Sequence, residues 1–283
     1  MGKYSDILLT VDFDRTLTAA DSTIPPRNLE AIEYFMGEGG AFTVCTGRSV
    51  PMYSGLMDVV PVNAPLILYN GSAAYDLKKR KFLFTTAIDL DWRQVMVRCM
   101  ELFPDLVVEL QSTDRHYVFR PEEMWKKFCI RNRCPWGYAD LSDDLGPFLK
   151  FSIYGQFHDD TVAQLYGGTP EELARMDEAM EILRREFGDK TQIFRAADRI
   201  LDIHAPGIGK GIACRRLLKE LGRKTLVCAG DGENDVGMME AADYAYAPSD
   251  AIIAARYETV CPCGEGAVAD VIYKKIEEII NRA

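Results

Sequence analysis

No apolar run in this sequence approaches the roughly 20 residues that a helix needs to cross a bilayer. Positive charge is also scarce, because 33 Lys and Arg stand against 43 Asp and Glu, a formal net charge of −10. A net negative field repels polyanions, so nucleic-acid binding is disfavoured. The apolar stretch before Asp12 is too short for a signal peptide with its cleavage site. We therefore expect a cytoplasmic protein with neither a membrane nor a nucleic-acid partner.

Histidine is rare, and the cysteines lack the spacing of zinc sites. The chain has three His and eight Cys. Neither Cys261-Pro262-Cys263 nor the spacing from Cys129 to Cys134 matches a two-residue zinc knuckle. Most other cysteines lie in apolar segments, where cysteine behaves as a small buried hydrophobe. Free thiols are therefore expected rather than a metal–thiolate site.

The composition is that of a folded chain with a sizeable core. Hydrophobic residues make up 48% of the 283 residues and charged residues 27%. Composition of this kind belongs to globular proteins and argues against disorder. At about 150 residues per domain, the length predicts two domains, or one large domain with an insertion.

The first part of the chain alternates predicted strands and helices. Residues 7–11 form a short apolar run that Asp12 ends, which predicts a strand buried on both faces. Apolar residues at helical spacing follow Pro25-Pro26, and further buried strands are predicted over 41–45 and 65–69. Strand–helix–strand order is typical of a parallel sheet.

The same alternation returns near the carboxyl terminus. A helix is predicted over 210–221, a strand over 225–229 and a second helix over 233–242. The last helix is amphipathic, because Val268, Val271, Ile272, Ile276, Ile279 and Ile280 share one face. We therefore predict an α/β fold: a Rossmann-like parallel-sheet core with helices on both faces.

Between these two parts, strands and helices follow each other in a different order. Strands are predicted over 106–110, 117–119 and 148–154, and a long charged helix over 170–187 capped by Thr169. Strands mixed with helices in this way suggest an inserted α+β domain. We accordingly divide the chain into a core, 1–79 with 196–283, and an insertion, 80–195.

Two acidic motifs directly follow buried strands. Asp12, Asp14 and Thr16 alternate after the first strand, and Asp231 and Asp235 follow a later one. Carboxyl ends of parallel strands lie at one edge of the sheet, where ligands bind in open α/β folds. Aspartates also cap helices and make turns. Since both motifs follow strands of the same predicted sheet, we expect them to meet.

Four gathered carboxylates need compensating charge. Asp12, Asp14, Asp231 and Asp235 would repel one another without a cation or protons. Oxygen ligands with no nearby His or Cys favour Mg²⁺ over zinc, and Mg²⁺ commonly bridges to a phosphate. The expected cofactor is Mg²⁺, and the expected partner is a small phosphorylated metabolite.

Two further elements offer groups for an anion. Lys210 begins a predicted helix, where the dipole disfavours a cation, so an anion should offset it, although a solvated lysine is an equally good reading of this residue alone. Thr46-Gly47-Arg48 follows a strand with a hydroxyl, a permissive backbone and a guanidinium suited to phosphate oxygens. Thr46 could equally cap a helix.

Together these motifs resemble those of the haloacid dehalogenase superfamily. In chain order they are Asp12-Phe13-Asp14-Arg15-Thr16, Thr46, Lys210 and Gly230-Asp231-Gly232-Glu233-Asn234-Asp235. A finer resemblance to the Cof-like phosphatases lies in Thr46-Gly47-Arg48, Tyr69-Asn70-Gly71 and Gly207-Ile208-Gly209-Lys210-Gly211. The insertion falls where that subgroup has its large α/β cap, so the resemblance implies that residues 80–195 are a cap that sets substrate specificity.

The resemblance also implies a mechanism. Asp12 would attack phosphorus and form a phosphoaspartate, and Asp14 would protonate the leaving oxygen and later activate water. Asp12, the backbone carbonyl of Asp14, Asp231 and Asp235 would hold the Mg²⁺. The residues implied to bind phosphate, or to orient those that do, are Thr46, Gly47, Lys210, Arg48, Asn70 and Asn234. For Asn70, a strand-end turn is an equally good interpretation.

Two positions depart from the subgroup's pattern. Arg15 stands where many relatives have glycine, which could crowd or recharge the entrance of the site. Asp250 stands where Cof-like proteins usually carry asparagine, which puts one supporting hydrogen bond in doubt.

The expected activity is hydrolysis of small phosphomonoesters, with sugar phosphates the leading class and phosphorylated cofactors next. A phosphomutase would use the same phosphoaspartate and return the phosphoryl group to an isomeric position. A non-catalytic sensor of a phosphorylated metabolite is the alternative from another class, disfavoured because Asp12 and Asp14 are both present.

Overall fold

The computed structural model describes residues 2–282. The strands, named in chain order, are β1 (Ile7–Val11), β2 (Ala41–Val44), β3 (Leu66–Leu68), β4 (Ala73–Asp76), β5 (Lys81–Thr85), β6 (Val107–Gln111), β7 (His116–Val118), β8 (Trp136–Tyr138), β9 (Lys150–Tyr154), β10 (Gln192–Ala197), β11 (Ile200–His204), β12 (Thr225–Ala229), β13 (Tyr244–Pro248) and β14 (Glu258–Val260). The α-helices are α1 (Pro26–Gly37), α2 (Val50–Tyr53), α3 (Trp92–Leu102), α4 (Glu123–Arg131), α5 (Pro170–Phe187), α6 (Lys210–Glu220), α7 (Val236–Ala241), α8 (Ala267–Asp270) and α9 (Glu277–Arg282).

The chain divides into two compact units. The first unit comprises Met1–Gly47, Leu56–Phe84 and Gly209–Ala283, and the second comprises Arg48–Gly55 and Thr85–Ile208. The second unit thus includes an eight-residue segment between β2 and β3 that our sequence-based division placed in the core. It also includes β10 and β11, because β11 pairs with β9, with Ile203 opposite Phe151. The roles of the two parts, catalytic core and cap, stay predictions.

A parallel five-stranded sheet forms the centre of the first unit. The strand order is β14-β13-β12-β1-β2, and every neighbouring pair is parallel. Val11 at the end of β1 pairs with Ala229 of β12 and with Val44 of β2. Because these three strands end level with one another, the residues that follow them emerge at one edge of the sheet. This α/β fold with a further sheet region confirms the predicted fold class.

Helix α1 packs on β2 of this sheet and against the carboxyl-terminal helical segment, which begins at Ala267. Ala31, Ile32 and Phe35 recur at helical spacing on α1 and are buried. The side-chain amide of buried Asn28, on α1, makes one hydrogen bond through its nitrogen and one through its oxygen. Its Nδ2 donates to the Leu17 carbonyl at 2.9 Å, and its Oδ1 accepts from the Ala269 N–H at 2.9 Å. Burying an amide with both groups satisfied positions the turn after β1 against the carboxyl-terminal segment.

The second unit has a six-stranded sheet of its own. Its order is β10-β11-β9-β6-β7-β8, antiparallel except for the β7–β8 pair. One face is apolar, and α3 and α5 cover it, as the shared core around Met96, Leu110 and Leu183 shows. Helix α5 begins with the predicted cap: the Thr169 hydroxyl accepts from the Glu172 N–H, and the Glu172 carboxylate accepts from the Thr169 N–H.

The opposite face of this second sheet carries a buried polar network. Glu109 is fully buried and accepts from His116 Nδ1 at 2.5 Å, Trp125 Nε1 at 2.6 Å and Gln111 Nε2 at 2.7 Å. His116 Nε2 lies 2.7 Å from Ser49 Oγ, which ties the Arg48–Gly55 segment into this unit. Burial alone would lower the pKa of His116, but the Glu109 carboxylate raises it to about 9.

All eight cysteines are free thiols, and seven of them are buried. Within residues 2–282, no helix combines the length and the apolar character that a membrane span requires.

Removing Glu109 should destabilise the second unit strongly. Glu109→Ala leaves a buried imidazolium and a buried indole N–H without their acceptor, so we expect a loss of about 3–5 kcal/mol in the free energy of unfolding. Urea denaturation measures this loss. Glu181→Ala, which removes an exposed carboxylate paired with Arg184 on α5, is the control and should change the free energy by less than about 1 kcal/mol. Equal effects of the two variants would show that the network contributes nothing beyond a surface pair.

Candidate active site

Asp12 lies at the edge where the central strands end. Its N–H donates to the Ala229 carbonyl of β12 at 2.9 Å, and its own carbonyl accepts from the Leu17 N–H at 3.2 Å. Residues Phe13–Leu17 form a tight turn directly after the strand, in which Asp14 and Arg15 have non-helical backbone conformations. The backbone of Asp12 is therefore held from both sides, and its side chain is 9% exposed.

Arg15 occupies a backbone conformation that favours glycine. Its φ is 60° and its ψ is 10°, in the left-handed region. A residue with a Cβ pays about 1–2 kcal/mol there, whereas glycine adopts it freely. The glycine that the family resemblance implies at this position would adopt this conformation without strain. The Arg15 side chain forms an ion pair with Asp231, with Nε 3.7 Å from Oδ2.

The loop after β12 folds tightly around Asp235. This carboxylate is fully buried, and its Oδ2 accepts from the N–H groups of Asp231 and Gly232, each at 3.0 Å. A Cβ placed on Gly230 would lie 2.6 Å from the Cβ of Asp235, so only glycine permits this approach. Asp231 is held nearby and accepts from the buried Thr16 hydroxyl at 3.4 Å.

Lys210 joins the two acidic motifs. It is the first residue of α6 and is 2% exposed. Its Nζ lies 2.5 Å from Asp12 Oδ1 and 2.5 Å from Asp235 Oδ1. Burial alone would lower the pKa of Lys210, but these two carboxylates raise it well above its usual value. The anion that a lysine at a helix start calls for is thus supplied by the protein itself.

Burial and mutual repulsion disfavour the charged forms of two carboxylates. Burial and the Asp235 charge raise the pKa of Asp12 to about 7, against the opposing effect of Lys210. Burial, Asp235 and Asp12 raise the pKa of Asp231 to about 8, although Lys210 and Arg15 lower it. The negative charge of Asp14 is a further cause of the raised pKa of Asp12. More positive charge is needed to hold all of these groups ionised.

The donor set fits a hard divalent cation. One carboxylate oxygen each from Asp12, Asp231 and Asp235 lies within 4.8 Å of the others, and all three residues are buried. These carboxylates outnumber the cationic groups that face them, Lys210 and the half-exposed Arg15. Oxygen donors with unbalanced negative charge are what Mg²⁺ binds in proteins. The cluster therefore fits the cation expected from the sequence.

The turns after β2 and β3 pack against each other and against the start of α6. Thr46 is buried, its N–H donates to the Ile67 carbonyl at 2.9 Å, and its carbonyl accepts from the Asn70 N–H at 3.0 Å. A Cβ on Gly47 would lie 2.9 Å from Asn70 Oδ1. Gly71, at φ 104°, lies so close to the loop before α6 that a Cβ would come within 2.5 Å of the Gly209 carbonyl oxygen. These glycines permit the close packing.

Other predicted residues lie in different surroundings. Asn234 is half-buried, and a Cβ placed on Gly232 would lie 2.8 Å from its Oδ1. Arg48 belongs to the second unit, just before α2, so its proposed phosphate contact stays a prediction. Asp250 bonds to a neighbouring turn, where it accepts from the Cys263 N–H at 2.9 Å and from its thiol at 3.2 Å. An asparagine could make the first of these bonds.

Sequence reasoning missed the part that Arg15 plays. From the sequence alone, Arg15 is only a departure that could crowd or recharge the entrance, whereas the structure pairs it with Asp231. The sequence offered only an arginine at a motif position where the resemblance implies glycine, and this departure does not indicate where the side chain points.

The first unit is thus a Rossmann-like parallel-sheet core with a buried, oxygen-rich acidic cluster at the edge where its strands end. The sequence model of the haloacid dehalogenase-like hydrolases matches residues 9–272, and the chain belongs to this family. Within it, the chain is a Cof-like hydrolase of the phosphatase class, as the sequence motifs predict.

Several relatives extend over nearly the whole chain. An uncharacterised hydrolase of Schizosaccharomyces pombe is 25% identical over 95% of this chain and 91% of its own length. A 5-amino-6-(5-phospho-D-ribitylamino)uracil phosphatase of Bacillus subtilis is 24% identical over 86% of this chain and 88% of its own. Among solved structures, a subclass IIB sugar phosphatase of the superfamily matches with a TM-score of 0.74 at 20% identity, covering 96% of this chain and 99% of that one. The structural likeness shows a shared fold.

Replacing Lys210 should destabilise the first unit, and Mg²⁺ should restore part of the loss. Lys210→Met leaves two buried carboxylates without their shared ammonium group, which costs about 3–5 kcal/mol. A divalent cation bound to the remaining carboxylates would supply the missing charge and stabilise the folded state by mass action. Thermal unfolding with Mg²⁺ and with EDTA measures both effects.

The control for this substitution lies on the same helix. Lys219→Met removes an exposed lysine of α6 and should alter the free energy of unfolding by about 0.5 kcal/mol or less. If Lys210→Met were as stable as Lys219→Met in EDTA, the ammonium bridge would not be holding the acidic motifs together.

Proposed function

We propose that this protein is a Mg²⁺-dependent phosphatase that hydrolyses small phosphomonoesters, sugar phosphates above all, through a phosphoaspartate on Asp12. The observation that carries the proposal is the buried group of Asp12, Asp231 and Asp235 around Lys210 at the edge of the parallel sheet. The proposed nucleophile, the proposed cation ligands and a buried positive charge come from three separate parts of the chain.

Asp12 is the proposed nucleophile. Its backbone is fixed by β12 and by the turn that follows, so its carboxylate is presented at one position. Lys210 holds Oδ1 at 2.5 Å, which leaves the other oxygen for attack on phosphorus. A bond forms between this oxygen and phosphorus while the bond from phosphorus to the ester oxygen breaks. Covalent catalysis of this kind divides a difficult hydrolysis into two easier steps.

Asp14 is the proposed general acid and base. It lies two residues beyond Asp12, near enough for its charge to raise the pKa of Asp12. In the first step it gives its proton to the leaving oxygen, so that the product is a neutral alcohol. In the second step the resulting carboxylate takes a proton from the water that attacks phosphorus, and the Asp12 carboxylate is released.

The proposed cation ligands are Asp12, Asp231, Asp235 and the backbone carbonyl of Asp14. A bound Mg²⁺ would neutralise negative charge on the phosphoryl group and on the carboxylates around it. Thr16 positions Asp231 by donating to its Oδ1, and the two backbone N–H groups after β12 position Asp235. These contacts would hold the ligands ready before the cation arrives.

Phosphoryl oxygens would be bound by the polar groups after β2 and at the start of α6. The proposed set comprises Thr46, Gly47, Arg48, Asn70, Lys210 and Asn234. Lys210 is the strongest candidate, since its charge is buried and its Nζ already contacts the nucleophile. A positive group so placed stabilises the charge that spreads over the phosphoryl oxygens in the transition state.

The second unit is the proposed cap, which would select the leaving group and keep water from the reaction. Support for a sugar-like leaving group comes from the relatives: one acts on a phosphorylated ribityl chain, and one structural neighbour is a sugar phosphatase. We therefore place pentose, hexose and sugar-alcohol phosphates first, and phosphorylated cofactors second.

Substituting the nucleophile should abolish phosphate release. Asp12→Asn keeps the shape of the side chain but removes the attacking charge, so turnover of sugar phosphates should fall by about 10³-fold or more. EDTA should likewise suppress phosphate release by the wild-type enzyme, and added Mg²⁺ should restore this release. Free phosphate measured over a panel of sugar phosphates, pyridoxal phosphate and flavin mononucleotide gives the readout.

Asp6→Asn is the matched control, because Asp6 is an exposed aspartate of the same unit that pairs with Lys224. It should retain wild-type turnover. Release that survives Asp12→Asn would refute the assigned nucleophile. An isomerised ester that appears without free phosphate would instead identify a phosphomutase.

The role of Asp14 predicts a dependence on the leaving group. Asp14→Asn should slow the first turnover of a sugar phosphate by about 10²–10⁴-fold, because an alkoxide needs a proton to leave. The first turnover of nitrophenyl phosphate should slow far less, since nitrophenolate leaves without one. Rapid-quench measurement of alcohol release separates the two substrates. An equal slowing of both would contradict the proton transfer assigned to Asp14.

A further inference from the structure

The charge of Arg15 acts directly on one candidate cation ligand. Its Nε lies 3.7 Å from Asp231 Oδ2, while the other oxygen of Asp231 accepts from Thr16. The Arg15 side chain is 31% exposed and that of Asp231 is 8% exposed, so the pair lies at the boundary between the buried acidic cluster and solvent. A cation that approaches Asp231 meets this guanidinium at short range.

The turn that contains Arg15 holds this residue in a strained backbone conformation. With φ at 60° the residue is in the left-handed region, which disfavours any side chain with a Cβ. Strained backbone of this kind persists where the surrounding structure fixes it, and it is concentrated at functional sites. The turn is fixed here, since the Arg15 N–H donates to the Thr18 hydroxyl at 3.1 Å and the Leu17 and Thr18 N–H groups donate back to the carbonyls of Asp12 and Phe13.

We propose that Arg15 is a built-in countercharge that sets the affinity of the acidic cluster for a divalent cation. The guanidinium partly neutralises Asp231 in the absence of the cation and repels the cation when it binds. The chain thereby holds its own cation more weakly than a variant with a neutral residue at this position. The inference rests on the proposed cation site and concerns how tightly that site binds.

Three substitutions at one position separate charge from backbone. Arg15→Gln removes the charge but keeps a long polar side chain and the left-handed backbone. Arg15→Gly removes the charge and also the backbone strain, because glycine adopts the left-handed region freely. We therefore expect the glycine variant to fold even if the glutamine variant does not. Arg15→Lys keeps the charge. A guanidinium and a divalent cation that both interact with Asp231 at a partly exposed site repel enough to change affinity by about tenfold.

The experiment is direct titration of the metal-free protein with Mg²⁺ by calorimetry, and with Mn²⁺ by the loss of its free-ion electron paramagnetic resonance signal. No substrate is present, so the readout is independent of turnover. Arg15→Gln and Arg15→Gly should bind either cation about tenfold more tightly than the wild type. Arg15→Lys should remain within about threefold of it. Arg215→Gln, which removes an exposed arginine paired with Asp243, is the control and should bind as the wild type does.

The outcomes also separate this inference from the proposed function. Cation binding that Asp231→Ala abolishes, but that Arg15→Gln and Arg15→Gly leave unchanged or weaken, overturns the role of Arg15 and leaves the cation site standing. Tighter binding in Arg215→Gln equal to that in Arg15→Gln would assign the effect to net charge and would also overturn it. If neither the wild type nor any variant binds either cation, both the inference and the Mg²⁺ dependence of the proposed function are wrong.

Discussion

The candidate site depends on the two ion pairs that the ammonium group of Lys210 makes with Asp12 and Asp235. This ammonium group lies 2.5 Å from a carboxylate oxygen of Asp12 and 2.5 Å from one of Asp235, and all three groups are buried. Without it, two negative charges would face each other inside the protein, a situation that folded chains avoid. Through this one group the end of β1, the loop after β12 and the start of α6 are fixed with respect to one another. The position of the proposed nucleophile is therefore a consequence of charge balance as much as of strand order.

Close backbone approach is the second constraint. Gly230 lies against the side chain of Asp235, and Gly71 lies against the carbonyl of Gly209 next to Lys210, at distances that a Cβ would not permit. Three successive residues after β3, Tyr69 to Gly71, have positive φ, and so does Arg15 after β1. Strained backbone of this kind is concentrated at functional sites, and here it lies in the turns that follow β1 and β3. Charge and geometry thus act on the same few turns.

How far the sequence could predict this structure depends on whether the signal is local. The strand Thr225–Ala229 and the helix Pro170–Phe187 with its Thr169 cap have the predicted bounds, because apolar periodicity and capping are properties of neighbouring residues. Asp12, Asp231 and Asp235 could be expected to meet because parallel strands end at one edge, and Lys210 could be expected to need an anion because it begins a helix. The bond from Ser49 to His116, which joins residues 67 apart, and the pairing of β11 with β9 left no local trace. The ion pair between Arg15 and Asp231 likewise depends on a backbone conformation that the identity of the residue disfavours.

The central claim is that a phosphoryl group passes through Asp12 on its way to water. The most direct test is rapid acid quench of the enzyme during turnover of a sugar phosphate, followed by mass spectrometry of the peptide that contains Asp12. The account predicts one phosphoryl group on that aspartate, formed and lost at least as fast as phosphate appears in solution. Steady phosphate release with Asp12 unmodified at every quench time, or with the phosphoryl group on a different residue, would contradict it.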